Sequence, residues 1–278
     1  VQSVGGLRRS SPPIVAYSQL GSSANCLYAL IGLEEGRGRD LQEAIMTTRR
    51  NFLVGIGALG TGAATVRAED LCAVYTKATQ SATTAAQALD RLKEGNARFV
   101  AGRPIHCNPQ TQVKLTAAGQ APFAAVLGCM DSRVSPELVF DQRIGDIFAV
   151  RIAGNFVNTD ILGSLEYATQ VAGAKLIIVL GHSDCGAIKG AIDHVKLGNL
   201  TAALENIQPA VAEVTAANGP ADSKDKKFVQ KVSERNATDA AGQLSSRSKV
   251  LASLIEEHKL TIVAAMHDVS TGVVTWLG

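Results

Sequence analysis

A chain of 278 residues, 46% of them hydrophobic, can bury a core of domain size, and a formal charge of +2 leaves no basic footprint for nucleic acid. No apolar run approaches the roughly 18 residues of a membrane span, and five cysteines are too few to frame a disulfide-built miniprotein. The expected partner is therefore a small molecule.

The front of the chain reads as an address. Residues 1–45 carry no sustained periodicity and are read as an upstream extension, disordered or not translated, with Met46 as the expected start. Thr48-Arg49-Arg50-Asn51-Phe52-Leu53 then precedes the weakly apolar Val54 to Val66, and the segment closes on Val66-Arg67-Ala68. That order matches a twin-arginine export signal over 46–68, which implies a periplasmic or other extracytoplasmic destination. As a soluble helix the same stretch would suffer from Gly55, Gly57, Gly60 and Gly62, each costing about 1 kcal/mol against Ala. Residues 69–83 are read as a linker and 84–278 as the folded domain. Cys26, Cys72 and Cys107 lie outside any motif and are read as unpaired thiols, with a Cys72–Cys107 bridge as the alternative in an oxidising compartment.

In the domain, Thr84 to Val100 has the period of an amphipathic helix, with Ala88, Leu92, Ala97 and Phe99 near one face. Strands are predicted at Ala124 to Gly128, Ile147 to Ile152, Leu176 to Gly181, Thr261 to Met266 and Val273 to Leu277. The first four alternate with helical segments, including Ile161 to Gln170 and Lys249 to Glu257, so they should lie parallel. Ser270-Thr271-Gly272 is a turn signal that returns the last strand antiparallel. The fold class is α/β: a mostly parallel four-stranded sheet with an antiparallel fifth strand, flanked by helices.

Two of these strands end on chemistry. Cys129-Met130-Asp131-Ser132-Arg133 follows one apolar run, and His182-Ser183-Asp184-Cys185 follows another. Strand ends of this kind are the usual ligand edge of an open α/β sheet. Two thiolates and an imidazole suit zinc and leave one tetrahedral position open, the pattern of a catalytic rather than a structural site. His106, His194, His258 and His267 have no ligand-like spacing and are read as surface or capping residues, and Arg151 and Asp146 as structural. Gly154 and Gly186 are read as permitting close backbone approach near the metal, with Gly186 opening a helix.

The residues CMDSRV, AGN (Ala153 to Asn155) and GHSDCGAIKG (Gly181 to Gly190) resemble the signature of the β-class carbonic anhydrases, over about Thr84 to Leu277. The resemblance implies one Zn2+ per subunit on Cys129, His182 and Cys185. It also implies an Asp131–Arg133 dyad in which Asp131 is either drawn off the metal by Arg133 or, in a closed state, occupies the fourth position. Gln120, nine residues before Cys129, matches an amide that contacts substrate or bicarbonate. Phe148, Tyr167 and Gly186 match positions of that family's substrate pocket. The implied function is reversible hydration of carbon dioxide to bicarbonate and a proton, with hydroxide generated on the metal, in a homodimer or larger homo-oligomer. Val126 stands where another bacterial subclass carries a Trp of a regulatory bicarbonate site, although Gly128 is the residue favoured by that subclass, so the reading leans to a plant-like site. Carbon disulfide or carbonyl sulfide hydrolysis on the same scaffold, and a non-catalytic zinc-binding protein with Asp131 as permanent fourth ligand, are the alternatives. If the export signal is read correctly, sequencing the amino terminus of the extracytoplasmic protein gives Glu69; Met46 at that position would refute cleavage after Ala68.

Overall fold

The structure, a computed structural model, describes residues 72–277. The expected upstream extension, export signal and first linker residues lie outside that range. Helices α1 (Lys77–Ala82), α2 (Ala85–Val100) and α3 (Pro109–Thr116) precede β1 (Ala124–Gly128), after which come α4 (Pro136–Val139) and β2 (Ile147–Arg151). Helix α5 (Thr159–Glu166) runs into a π-helical turn at Tyr167–Val171 before β3 (Leu176–His182). Then come α6 (Gly186–Ile192), α7 (Gly198–Glu205), α8 (Gln208–Asn218), α9 (Lys226–Arg247), α10 (Lys249–Glu256), β4 (Thr261–His267) and β5 (Val274–Leu277).

The strands form one sheet in the order β2-β1-β3-β4-β5, parallel except for β5. β1 and β3 are buried at every residue, which is why they read as unbroken apolar runs rather than alternating ones. β2 alternates because it is the outer strand, with one edge unpaired among the described residues. The chain steps from β1 outward to β2 on one side and then to β3 on the other. The strand order therefore reverses between β1 and β3, and the crevice at their carboxyl ends lies at the switch point where such sheets bind ligands.

Both faces of the sheet are covered. Ala237, Ala240 and Leu244 of α9 pack with Leu251 of α10 against one face, and Ala88 and Leu92 of α2 pack with Phe123 and Phe140 against the other. Thr84 caps α2 in a reciprocal capping box with Gln87. The buried face of α2 ends on Gly95 and Asn96, whereas the expected Ala97 and Phe99 are exposed. The cause is close approach: a Cβ at Gly95 would stand 1.8 Å from the Phe140 carbonyl oxygen, so the helix meets α4 at this turn. Asn96 then donates to the carbonyls of Val139 and Gly272 and accepts from the Val274 amide, tying α2 to β5.

Within the expected linker, the described residues from Cys72 to Thr83 pack on the domain. Thr76 caps α1, and Gln80 is buried with its amide donating to the carbonyls of Pro122 and Ala172. Lys77 donates to the same Ala172 carbonyl. Cys72 is bridged to Cys107, so these two are not the unpaired thiols first expected. The bridge closes a segment of 35 residues around α1 and α2, which in the chain-entropy account disfavours the unfolded state by about 4 kcal/mol. Cys72→Ser is expected to lower the unfolding free energy by about 2–4 kcal/mol, read from denaturant titration, and to match the fully reduced wild type.

Candidate metal centre

Cys129 leaves the end of β1, His182 ends β3, and Cys185 caps α6, so the sheet's switch point brings all three together. Their ligand atoms lie within 4.8 Å of one another, and all three residues are buried. The two sulfurs are 3.9 Å apart and unbridged. Two ligands about 2.3 Å from one tetrahedral ion lie about 3.8 Å apart, so the spacing suits zinc without rearrangement.

Each ligand is oriented by the backbone. His182 Nδ1 faces the Ser183 carbonyl at 2.9 Å, while its Nε2 is buried with no hydrogen-bond partner among the described residues. A nitrogen fixed in this way, with its ring partner on a carbonyl, is the arrangement of a metal-bound imidazole. The Gly154 amide donates to Cys129 Sγ at 3.3 Å. Only glycine suits that position: its φ is +80°, and a Cβ would approach Ile207 Cδ1 to 2.5 Å. The hydrogen bond from Cys185 pulls the Cys129 thiol well below its ordinary pKa. The same hydrogen bond to Cys129, then burial, push Cys185 upward. Two buried sulfurs at this distance oppose each other's ionisation, and a bound cation is what would let both ionise.

Around this centre is a charged rim. Arg133 grips Asp131 with both ends of its fork, Nε to Oδ1 at 3.0 Å and Nη2 to Oδ2 at 2.8 Å, and its own amide also donates to Oδ1. The side-chain pairing with Arg133, more than any other influence, holds the Asp131 carboxyl well below the usual carboxylate range. Arg151, read from sequence as structural, donates to the carbonyls of Cys129 and Asp131 and so fixes the ligand loop itself. His267 is not a surface residue: it is 3% exposed, paired in register with His182, and both ring nitrogens lack partners among the described residues. A cavity of about 260 Å³ opens beside Cys129 and Asp131, walled by Met130, Ala153, Ala187, Leu200 and Leu204, with Gly186 at its margin.

Three expected pocket residues stand elsewhere in the chain. Gln120 is exposed before the start of β1, whereas Cys129 follows that strand's end. Phe148 and Tyr167 meet edge to face at 6.3 Å along the open edge of β2, where they line a separate cleft of about 610 Å³. Asp184 and Lys189, which contact the rim, escaped the sequence reading because charged residues near a motif have no signal of their own.

The carbonic anhydrase family model matches residues 124–274. "Carbonic anhydrase 2" of Mycobacterium tuberculosis is 37% identical over 187 residues, covering 65% of this chain and 87% of that one. The carbonic anhydrase of Mycolicibacterium smegmatis is 36% identical over 183 residues, with coverage of 65% and 87%. Among solved structures, a tetrameric β-carbonic anhydrase of Sordaria macrospora is similar with a TM-score of 0.56 and 29% identity, over 68% of this chain and 96% of that one. With the matched segment spanning both ligand-bearing strand ends, the chain belongs to the β-class carbonic anhydrase family.

Proposed function

We propose that Cys129, His182 and Cys185 hold one zinc ion per subunit and that the protein catalyses the reversible hydration of carbon dioxide to bicarbonate and a proton. The observation that carries this reading is the buried convergence of three ligand atoms within 4.8 Å, with the unpartnered His182 Nε2 among the buried groups. Zinc, when bound, supplies the Lewis acidity that makes hydroxide available near neutral pH.

The chain's own residues do the rest. Arg133 occupies both Asp131 oxygens, which draws that carboxylate away from the ligand cluster and leaves the fourth position for the reaction. Asp131 stays ionised through the working range, because its carboxyl is held below the ordinary value, and it can accept a hydrogen bond from the attacking hydroxyl. The small, largely apolar cavity beside Cys129 suits a nonpolar linear gas. Gln120, Phe148 and Tyr167 complete the pocket across a homodimer interface, with Gln120 as the amide donor for the product anion. The unpaired edge of β2 and the aromatic cleft along it support that assembly. We place the subunit among plant-like members, since Val126 leaves no indole for a regulatory site.

Export by the twin-arginine route is part of the same proposal, with 46–68 as signal and the folded domain beginning before residue 84. The Cys72–Cys107 bridge supports it, because such bonds persist in oxidising compartments and are rare in reducing ones. The route carries folded proteins, so the metal would protect Cys129 and Cys185 from oxidation in transit.

Stopped-flow hydration by the zinc-loaded protein, with metal content measured in parallel, tests the reading. Two thiolates cancel the formal charge of the ion, so the metal is a weaker acid than with neutral ligands, and activity should rise with pH above about 7. Asp131 cannot produce that rise, since it is already ionised far below it. A rate that is flat well into the acid range, or absent despite full metal loading, would sink the assignment. Arg133→Ala releases Asp131 toward the metal; hydration at pH 7.5 should fall about 10- to 100-fold, equivalent to about 1.4–2.7 kcal/mol. Wild-type rates in that variant would remove the dyad from the mechanism.

A further inference from the structure

Arg133 has a second carboxylate partner that the reaction as described does not use. Asp184 sits between His182 and Cys185, on the loop that carries two of the three ligands. Its carboxylate lies 3.7 Å from Arg133 Nη1, and its carbonyl accepts from Arg133 Nη2 at 3.4 Å. Lys189, one turn into α6, closes on the same carboxylate from the other side. The residue adopts φ = +57°, a left-handed conformation that Asp tolerates better than most side chains. The loop beneath is held to β4, with the Ser183 amide donating to the His267 carbonyl at 2.9 Å and Ser183 Oγ accepting from the Val269 amide at 3.0 Å. Asp184 is thus a fixed post rather than a loose surface acid, and Arg133 is strung between it and Asp131.

From this geometry we propose that Asp184 is a positioning residue: it anchors the Arg133 guanidinium, with Lys189 as its counter-charge, so that Arg133 keeps Asp131 off the metal. The inference rests on the zinc reading above and adds to it what sets the balance between open and closed sites in this chain. An arginine side chain loses much rotamer entropy when it is held, so fixing its far side makes the grip on Asp131 easier to maintain. The side chains of Arg133, Asp184 and Lys189 are 46%, 49% and 36% exposed, so solvent screens the network and the effect should be several-fold rather than many orders.

The test uses the full folded protein with cobalt(II) in place of zinc, titrated with azide at pH 8 and followed in the visible spectrum. Azide can reach the metal only when Asp131 does not hold the fourth position, so its affinity reports the open fraction without reference to turnover. Asp184→Asn preserves shape and tolerates the left-handed backbone, and Asp184→Ala provides a second variant should the first retain a hydrogen bond. Azide should bind about twofold to tenfold more weakly in both, hydration kcat/KM should fall by a similar factor, and Asp184→Glu should recover part of the loss. Deleting a negative charge beside a metal would by itself tighten azide binding, so unchanged or tighter binding in both variants overturns the proposal. A wild-type cobalt protein that neither binds azide nor hydrates carbon dioxide would instead overturn the functional reading, which keeps the two failures apart.

Discussion

Two buried sulfurs held 3.9 Å apart are the constraint around which the centre is arranged. Left alone, ionisation of one sulfur opposes that of the other, because each additional negative charge in a poorly solvated site is costly. The fold meets this with groups that favour the ionised form. The Gly154 amide points at Cys129, Cys185 sits at the amino end of α6, and an imidazole nitrogen is left without a partner beside them. A divalent cation satisfies all three features at once. That is a stronger argument for a metal than the residue types alone, since a lone buried cysteine or histidine is ordinary packing.

The site has two parts that differ in rigidity. Its inner part is carried on the ends of β1 and β3, strands with no exposed residue, and is locked by Arg151 onto the backbone of the first ligand loop. Its outer part, Asp131, Arg133, Asp184 and Lys189, is partly solvated and held by ion pairs. Buried packing fixes where the ligands stand, whereas screened charges set a balance that differs by a few-fold. The placing of the candidate ligands and the charge balance around them are therefore set by different physics.

Part of the pocket expected from the family resemblance does not assemble within one chain. Gln120 precedes β1 and Cys129 follows it, and no side-chain movement spans that strand. Phe148 and Tyr167 instead line a separate cleft beside β2, the strand whose outer edge is unpaired among the described residues. The described chain thus brings Cys129, His182 and Cys185 together while Gln120, Phe148 and Tyr167 stand apart from them.

Local pattern in the sequence determined the five strands and the helices that became α2, α5 and α10, and it pointed to Cys129, His182 and Cys185, because β1 and β3 are continuous apolar runs and each motif follows directly from one. It also specified that β1 to β4 would run parallel, since the helical segments between them are long enough for crossovers. Tertiary structure alone decided that α2 turns Gly95 and Asn96 inward in place of Ala97 and Phe99, because the choice depends on how closely the Phe140 carbonyl approaches. It alone paired Cys72 with Cys107, buried His267, and brought Asp184 to Arg133 across 51 positions of chain. Periodicity records what one segment buries, but an ion pair or a close approach depends on where a distant segment arrives, and that is set only when the sheet is assembled.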